Sequence, residues 1–158
     1  MVLIGSIVAA LLLALSISHV SRRKLVVVVV QGLSMVPTYQ PGDRVLVIRG
    51  KVPAAGDIVV VEQPSMETAG WPSTPAGLGG GSGDVQSRPW LLKRVVGAPG
   101  DRVPTQASGP LHTAAGVVPP GSFFLLGDNA DVSFDSRQMG WFPLERVLGT
   151  VYRRTDSG

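Results

Sequence analysis

Trp90-Leu91-Leu92-Lys93-Arg94-Val95-Val96 is a short apolar run stopped by Gly97, with two cations at its centre. It has the length, composition and flanking Pro and Gly of a strand. With a side-chain period of two, Leu91, Lys93 and Val95 share one face, and Leu92, Arg94 and Val96 share the other. Both faces look largely buried, yet lysine and arginine are almost never fully buried unless paired. A carboxylate can satisfy Arg94. Lys93 has two readings. Desolvation lowers an amine's pKa towards neutrality and yields a base able to take a proton from a serine. Alternatively, the run is an edge strand whose lysine blunts aggregation.

Similar runs recur along the chain at Leu25–Val30, Arg44–Ile48, Asp57–Val61, Ser122–Phe123-Phe124-Leu125-Leu126 and Val147–Tyr152. Each is short, apolar and bounded by Gly, Pro or Asp. No segment after residue 24 has a convincing 3.6-residue period. The fold expected is mainly β, a closed or nearly closed sheet. From Gln63 to Arg88 the composition turns to Pro, Ser, Thr and Gly, which predicts a flexible surface insertion over 64–88. Residues 104 to 121 form a second Gly/Pro/Ala-rich connection. The domain plan is therefore an apolar segment at 1–20, a basic juxtamembrane segment with the first strand at 21–30, and a β domain at 31–154.

Val2 to Val20 carries no charged side chain. At helical rise these positions reach roughly 28 Å, close to the hydrocarbon thickness of a bilayer, which predicts one transmembrane helix. The competing reading is a cleaved signal peptide ending at Ser16-Ile17-Ser18, but no basic residue precedes the run and it exceeds a usual h-region. Ser21-Arg22-Arg23-Lys24 follows, and this charge biases the C-terminal side towards the cytoplasm. The same four residues match an S-x-x-K pattern, but the companion S-D-N and K-T-G signatures are missing.

Composition narrows the chemistry. Charged residues are 16 % of the 158, against the ~25 % of ordinary soluble domains. Net charge is +3 with no basic stripe interleaved with aromatics, so nucleic acid is not an expected partner. Cysteine is absent, and the two histidines, His19 and His112, have no clustered partner. Metal sites, thiol nucleophiles and Ser-His-Asp chemistry are all poorly supported. A hydrolase built from this chain must find its base elsewhere.

In Gly32-Leu33-Ser34-Met35-Val36-Pro37-Thr38 a serine follows a strand and a glycine, with a proline three residues on. Gly32 permits an unusual backbone conformation and close access to the serine, while Pro37 stiffens the exit and biases Val36 towards extended geometry. Such a turn can present a hydroxyl outward with backbone N–H groups aimed at a developing oxyanion. Alone, it reads as an ordinary turn. The segment from Gly127-Asp128-Asn129 to Ser133, Asp135, Ser136, Arg137 and Gly140 is dense in short polar side chains. Asp128 or Asp135 with Arg137 would make a charge-assisted pair that ties this loop together.

Together these segments resemble signal peptidase I, a Ser-Lys dyad family. The resemblance rests on Ser34-Met35-Val36-Pro37-Thr38 with Pro41-Gly42-Asp43, on Gly56-Asp57-Ile58-Val59-Val60, and on Lys93-Arg94-Val95-Val96-Gly97-Ala98-Pro99-Gly100-Asp101. The fourth stretch is the polar loop at 127–140. It covers about residues 31 to 151 and implies a signal-peptidase-like β-barrel or coiled sheet behind one membrane helix. It implies Ser34 as nucleophile, Lys93 as base, and Ser133 as the serine that orients the lysine. Asp135 and Arg137 correspond to a supporting pair, Asp128 opens their loop, and Met35 and Pro37 fall in the substrate-binding turn. Some members place a serine donor where this chain has Gly32, so oxyanion stabilisation here leans on backbone or water. No metal and no cofactor are implied. The partners implied are signal-peptide-bearing preproteins and the lipid bilayer, with the catalytic domain on the extracytoplasmic face of the plasma membrane. A self-cleaving Ser-Lys repressor-type peptidase and a silent, anchored peptide-binding module are the alternatives.

Overall fold

The computed structural model describes residues 25–65, 70–71, 75, 85, 88–103 and 116–155. The apolar segment at 1–20 lies outside them, and among the described residues no helix is long and apolar enough to cross a membrane. The chain folds as one curled antiparallel sheet. Its strands are β1 (Leu25–Val29), β2 (Arg44–Ile48), β3 (Ile58–Glu62), β4 (Trp90–Gly97), β5 (Ser122–Leu126), β6 (Phe142–Pro143) and β7 (Val147–Thr155). Their order across the sheet is β1-β2-β7-β3-β4-β5-β6. Each long strand is rich in Val, Ile, Leu or Phe, which fit a pleated surface packed on at least one side.

Central β3 is buried on both faces. Val59 and Val61 join Val95, Phe123, Leu125, Phe142 and Val147 in one cluster, while Val60 joins Val30, Val45, Val47, Val85 and Leu148 in another. β4 is paired with β3 along Trp90–Arg94, but with β5 only at Arg94, Val95 and Gly97. Among the described residues, its first half therefore keeps one unpaired edge. Where β2 meets β7, a bulge falls between Leu46 and Val47. Gly149 sits there so close to β2 that a Cβ would collide with the Ile48 carbonyl.

Two short elements escape the sequence pattern. β6 has two residues, and α1 (Ser136–Met139) is a single helical turn capped by Asp135. Within the insertion, Trp71 and Val85 are anchored to the core. The Trp71 ring lies 6.1 Å from Phe142, edge to face, and the Arg146 guanidinium stacks 4.8 Å from the Trp71 ring centre. Val85 is 8 % exposed, and its carbonyl accepts the Trp90 indole N–H at 2.6 Å. Beside them the buried Glu62 carboxylate takes Arg88 at 3.2 Å and Arg146 at 2.9 Å. A polar stretch can thus be pinned by two large apolar side chains and an ionic knot at its base, which bulk composition does not register.

Candidate active site

The serine turn leaves β1 at Val30, whose N–H donates to the Asp43 carbonyl at 2.8 Å. Gly32 takes a positive φ of 74°, a conformation that L side chains resist. The turn is closed by Tyr39 N–H donating to the Met35 carbonyl at 2.9 Å. The Val36–Pro37 bond is cis, and both residues lie in the turn. From the other side, the Asn129 N–H donates to the Ser34 carbonyl at 3.0 Å. Gly127 makes this approach possible: a Cβ there would stand 2.6 Å from the Ser34 carbonyl oxygen and overlap the Ser133 hydroxyl. The serine turn and the polar loop are in backbone contact.

Lys93 faces the same place from β4. It is 1 % exposed, and its Nζ lies 2.9 Å from the Ser133 hydroxyl. Ser133 donates in turn to Asp135 Oδ2 at 2.7 Å. Asp135 also accepts the Gly127 N–H at 2.9 Å and both Nε and Nη2 of Arg137 at 2.9 Å. Burial would raise the Asp135 carboxyl, but these donors outweigh it and hold it below the usual carboxylate range. Burial pushes the Lys93 amine below its ordinary value; the Asp135 charge opposes this and the Arg137 charge assists it. Desolvation wins because the carboxylate stands one hydroxyl away and is already engaged by a guanidinium.

Arg94, one residue on, points to the other face of β4. Its Nε and Nη2 grip Asp128 at 2.8 and 2.7 Å, and Thr38 at the end of the serine turn donates to the same carboxylate. Burial of Asp128 is again outweighed by its donors, Arg94 and Thr38, and its pKa is lowered. This clamp joins three segments far apart in sequence.

Ser34, Lys93 and Gly32 line one cavity of about 500 Å³, walled by Leu91, Val132, Phe134 and Met139. A second cavity of about 520 Å³ runs between Val27–Val29 of β1, with Val30 beyond it, and the stretch Trp90–Leu92 of β4 that pairs with β3 alone, with Val60 also lining it. The two share Gln31, Ser34, Gln63 and Leu91, so they form one groove with the serine at the junction. Of the residues singled out in sequence, Ser34, Gly32, Lys93, Ser133, Asp135 and Arg137 converge here, and Asp128 braces the turn from outside. Met35 is buried at 1 % exposure, and neither it nor Pro37 lines the groove. From sequence, no role attached to Thr38, Gln63 or Gly127, although Thr38 ends the serine turn and Gly127 opens the polar loop.

Fold and site together describe a β-sheet protein that sets a turn serine and a desolvated lysine into one groove. The chain matches the family described as "Signal peptidase, peptidase S26" over residues 2–112 and 104–154, and it belongs to that family. It is 32 % identical to thylakoidal processing peptidase 1 of Arabidopsis thaliana chloroplasts, over 76 % of this chain and 39 % of that one. It is 29 % identical to mitochondrial inner membrane protease subunit 1 of Mus musculus, over 80 % of this chain and 66 % of that one. Identity to the probable signal peptidase I-2 of Synechocystis is 28 %, over 77 % and 58 %. The chain thus spans between 39 and 66 % of the length of these relatives.

Proposed function

We propose that this chain is a membrane-anchored serine endopeptidase that removes signal peptides from exported preproteins, with small residues preferred before the cut. The observation that carries the reading is the buried Lys93 amine, bonded to Ser133 at 2.9 Å in the cavity that also holds Ser34. Ser133 gives its proton to Asp135, so it accepts an N–H from Lys93. A neutral amine held in this way keeps its lone pair free for a second partner. Lys93 takes the Ser34 proton as Ser34 attacks the scissile carbonyl, and it returns that proton to the leaving amine. Water activated by the same amine then hydrolyses the acyl-enzyme. With glycine at 32, the developing oxyanion relies on backbone N–H groups, the Ser34 amide among them, or on water.

The groove between β1 and the open half of β4 suits an extended peptide. A substrate strand can hydrogen-bond to an unpaired strand edge and send alternate side chains into the cavities. Residues 1–20 serve as the single membrane span and hold the groove near membrane-tethered substrates, raising their effective concentration. The catalytic domain lies on the extracytoplasmic face of the plasma membrane; the bias from Arg22-Arg23-Lys24 runs against this, and C-terminal reporter fusions decide it. The function is tested with the full chain and a separate preprotein. The wild type cleaves in trans after small residues, and Ser34→Ala loses at least about 10³-fold in kcat/KM. Cleavage unaffected in the Ser34→Ala protein overturns the reading.

A further inference from the structure

A peptide cut at Ser34 leaves two fragments, and the groove has two arms. One arm runs between β1 and Trp90–Leu92. The other opens past Ser34 and is lined by Leu33, Val132, Phe134 and Met139, none of which borders the first arm. In the reading above, the strand leading up to the cut pairs with the β4 edge and stays on Ser34 as the acyl part. The residues that follow the cut then pass along the second arm. An extended chain rises about 3.3 Å per residue, so the first two of them lie within about 7 Å of the scissile carbonyl.

The mouth of that arm is apolar and unfilled by the fold. Leu33, Val132 and Phe134 are 54, 56 and 40 % exposed. Among the described residues, none of the three belongs to a buried cluster or packs against one. Val132 and Phe134 flank Ser133, which is buried and turned in to Lys93. The loop that orients the amine therefore also holds two large apolar side chains at the mouth of the cavity. Such side chains gathered beside a cleft mark a binding surface. The rim is also preformed, because the Asn129 N–H ties the polar loop to the Ser34 carbonyl at 3.0 Å, so little ordering is lost when a peptide binds. A bilayer is a poorer occupant: the exposed Asp131 adjoins Val132, and Gln31 and Gln63 line the same cavity.

We propose that Leu33, Val132 and Phe134 form a subsite on the leaving side of the cut, which selects substrates with an apolar side chain in one of the first two positions after it. The proposal rests on the peptidase reading and adds a second determinant to it, independent of the residues before the cut. The test gives the full-length protein in detergent a set of peptides that differ only in the first or the second residue after the cut, Leu or Asn. These two side chains are close in shape, so their ratio reads polarity and not size.

At one of the two positions Leu is preferred to Asn roughly tenfold in kcat/KM; strand alternation turns the other position away from the rim. Val132→Ser with Phe134→Ser brings that ratio to near one, and Phe134→Leu keeps it. The preference for small residues before the cut is the same in every variant. Equal kcat/KM for Leu and Asn at both positions overturns the proposal, and so does a ratio that survives the double replacement. A ratio that appears only when lipid vesicles replace the detergent assigns the rim to the bilayer and overturns it too. Failure of the wild type to cleave any of the peptides refutes the peptidase reading itself, and the subsite falls with it.

Discussion

Lys93 and Arg94 are adjacent on one strand and face opposite sides of it, and the protein treats them in opposite ways. Arg94 meets a carboxylate directly, two nitrogens on Asp128, which stabilises its charge. Lys93 is more deeply buried and meets a hydroxyl. Its nearest carboxylate, Asp135, stands behind Ser133 and is occupied by Arg137. One cation is made permanent and structural, while the other is pressed towards losing its proton. The difference lies in a single intervening serine and in which partner the carboxylate already has.

The sharpest way to break this contrast is to give position 93 a group that cannot lose its proton. Lys93→Arg is expected to lower kcat/KM by at least about 10³-fold while the fold, read by circular dichroism, is kept. Ser133→Ala removes the intervening hydroxyl. It is expected to reduce kcat by roughly 10²-fold with KM little changed, because the amine loses its orientation and not the substrate its groove. Steady-state kinetics on a signal-peptide substrate separates the two constants.

On the other face, Asp128→Ala leaves Arg94 and Thr38 without their shared acceptor. Since this clamp is partly exposed, the expected loss of stability is only about 1–2 kcal/mol, measured by urea denaturation. The smallest effect is on pH dependence. Desolvation lowers the Lys93 pKa, so kcat/KM rises with pH along a limb whose midpoint lies below the ordinary lysine value of about 10.4. Arg137→Gln removes a charge that assists the lowering and moves the limb to higher pH. Asp135→Asn removes the opposing charge and moves it to lower pH. Stability follows with a defined sign: between the depressed folded value and the ordinary one, the unfolded chain holds the extra proton, so stability rises with pH across that window.

Much of this was legible in the amino-acid order. β2, β4 and β5 announce themselves because β-branched and aromatic runs end at Gly, Pro or Asp, and the two adjacent cations of β4 posed the question that the site answers. α1 was hidden because four residues cannot display a helical period, and β6 because two residues cannot alternate. Trp71 and Val85 were hidden for a different reason. Each is a lone apolar residue in a polar stretch, and its packing depends on where Phe142 and Trp90 arrive in space. The Thr38–Asp128–Arg94 clamp was hidden by distance along the chain, its members being 90 and 34 positions apart.

Gly149 is remote from the serine and the lysine, yet it governs how closely β2 rests on β7. Because β1 hangs from β2 while β4 is carried by β3 on the far side of β7, that spacing is transmitted to the gap between β1 and the bare edge of β4. One methyl group at this position would act as a shim driven into the back of the sheet. It would reset the gauge of the channel proposed to admit a single peptide strand.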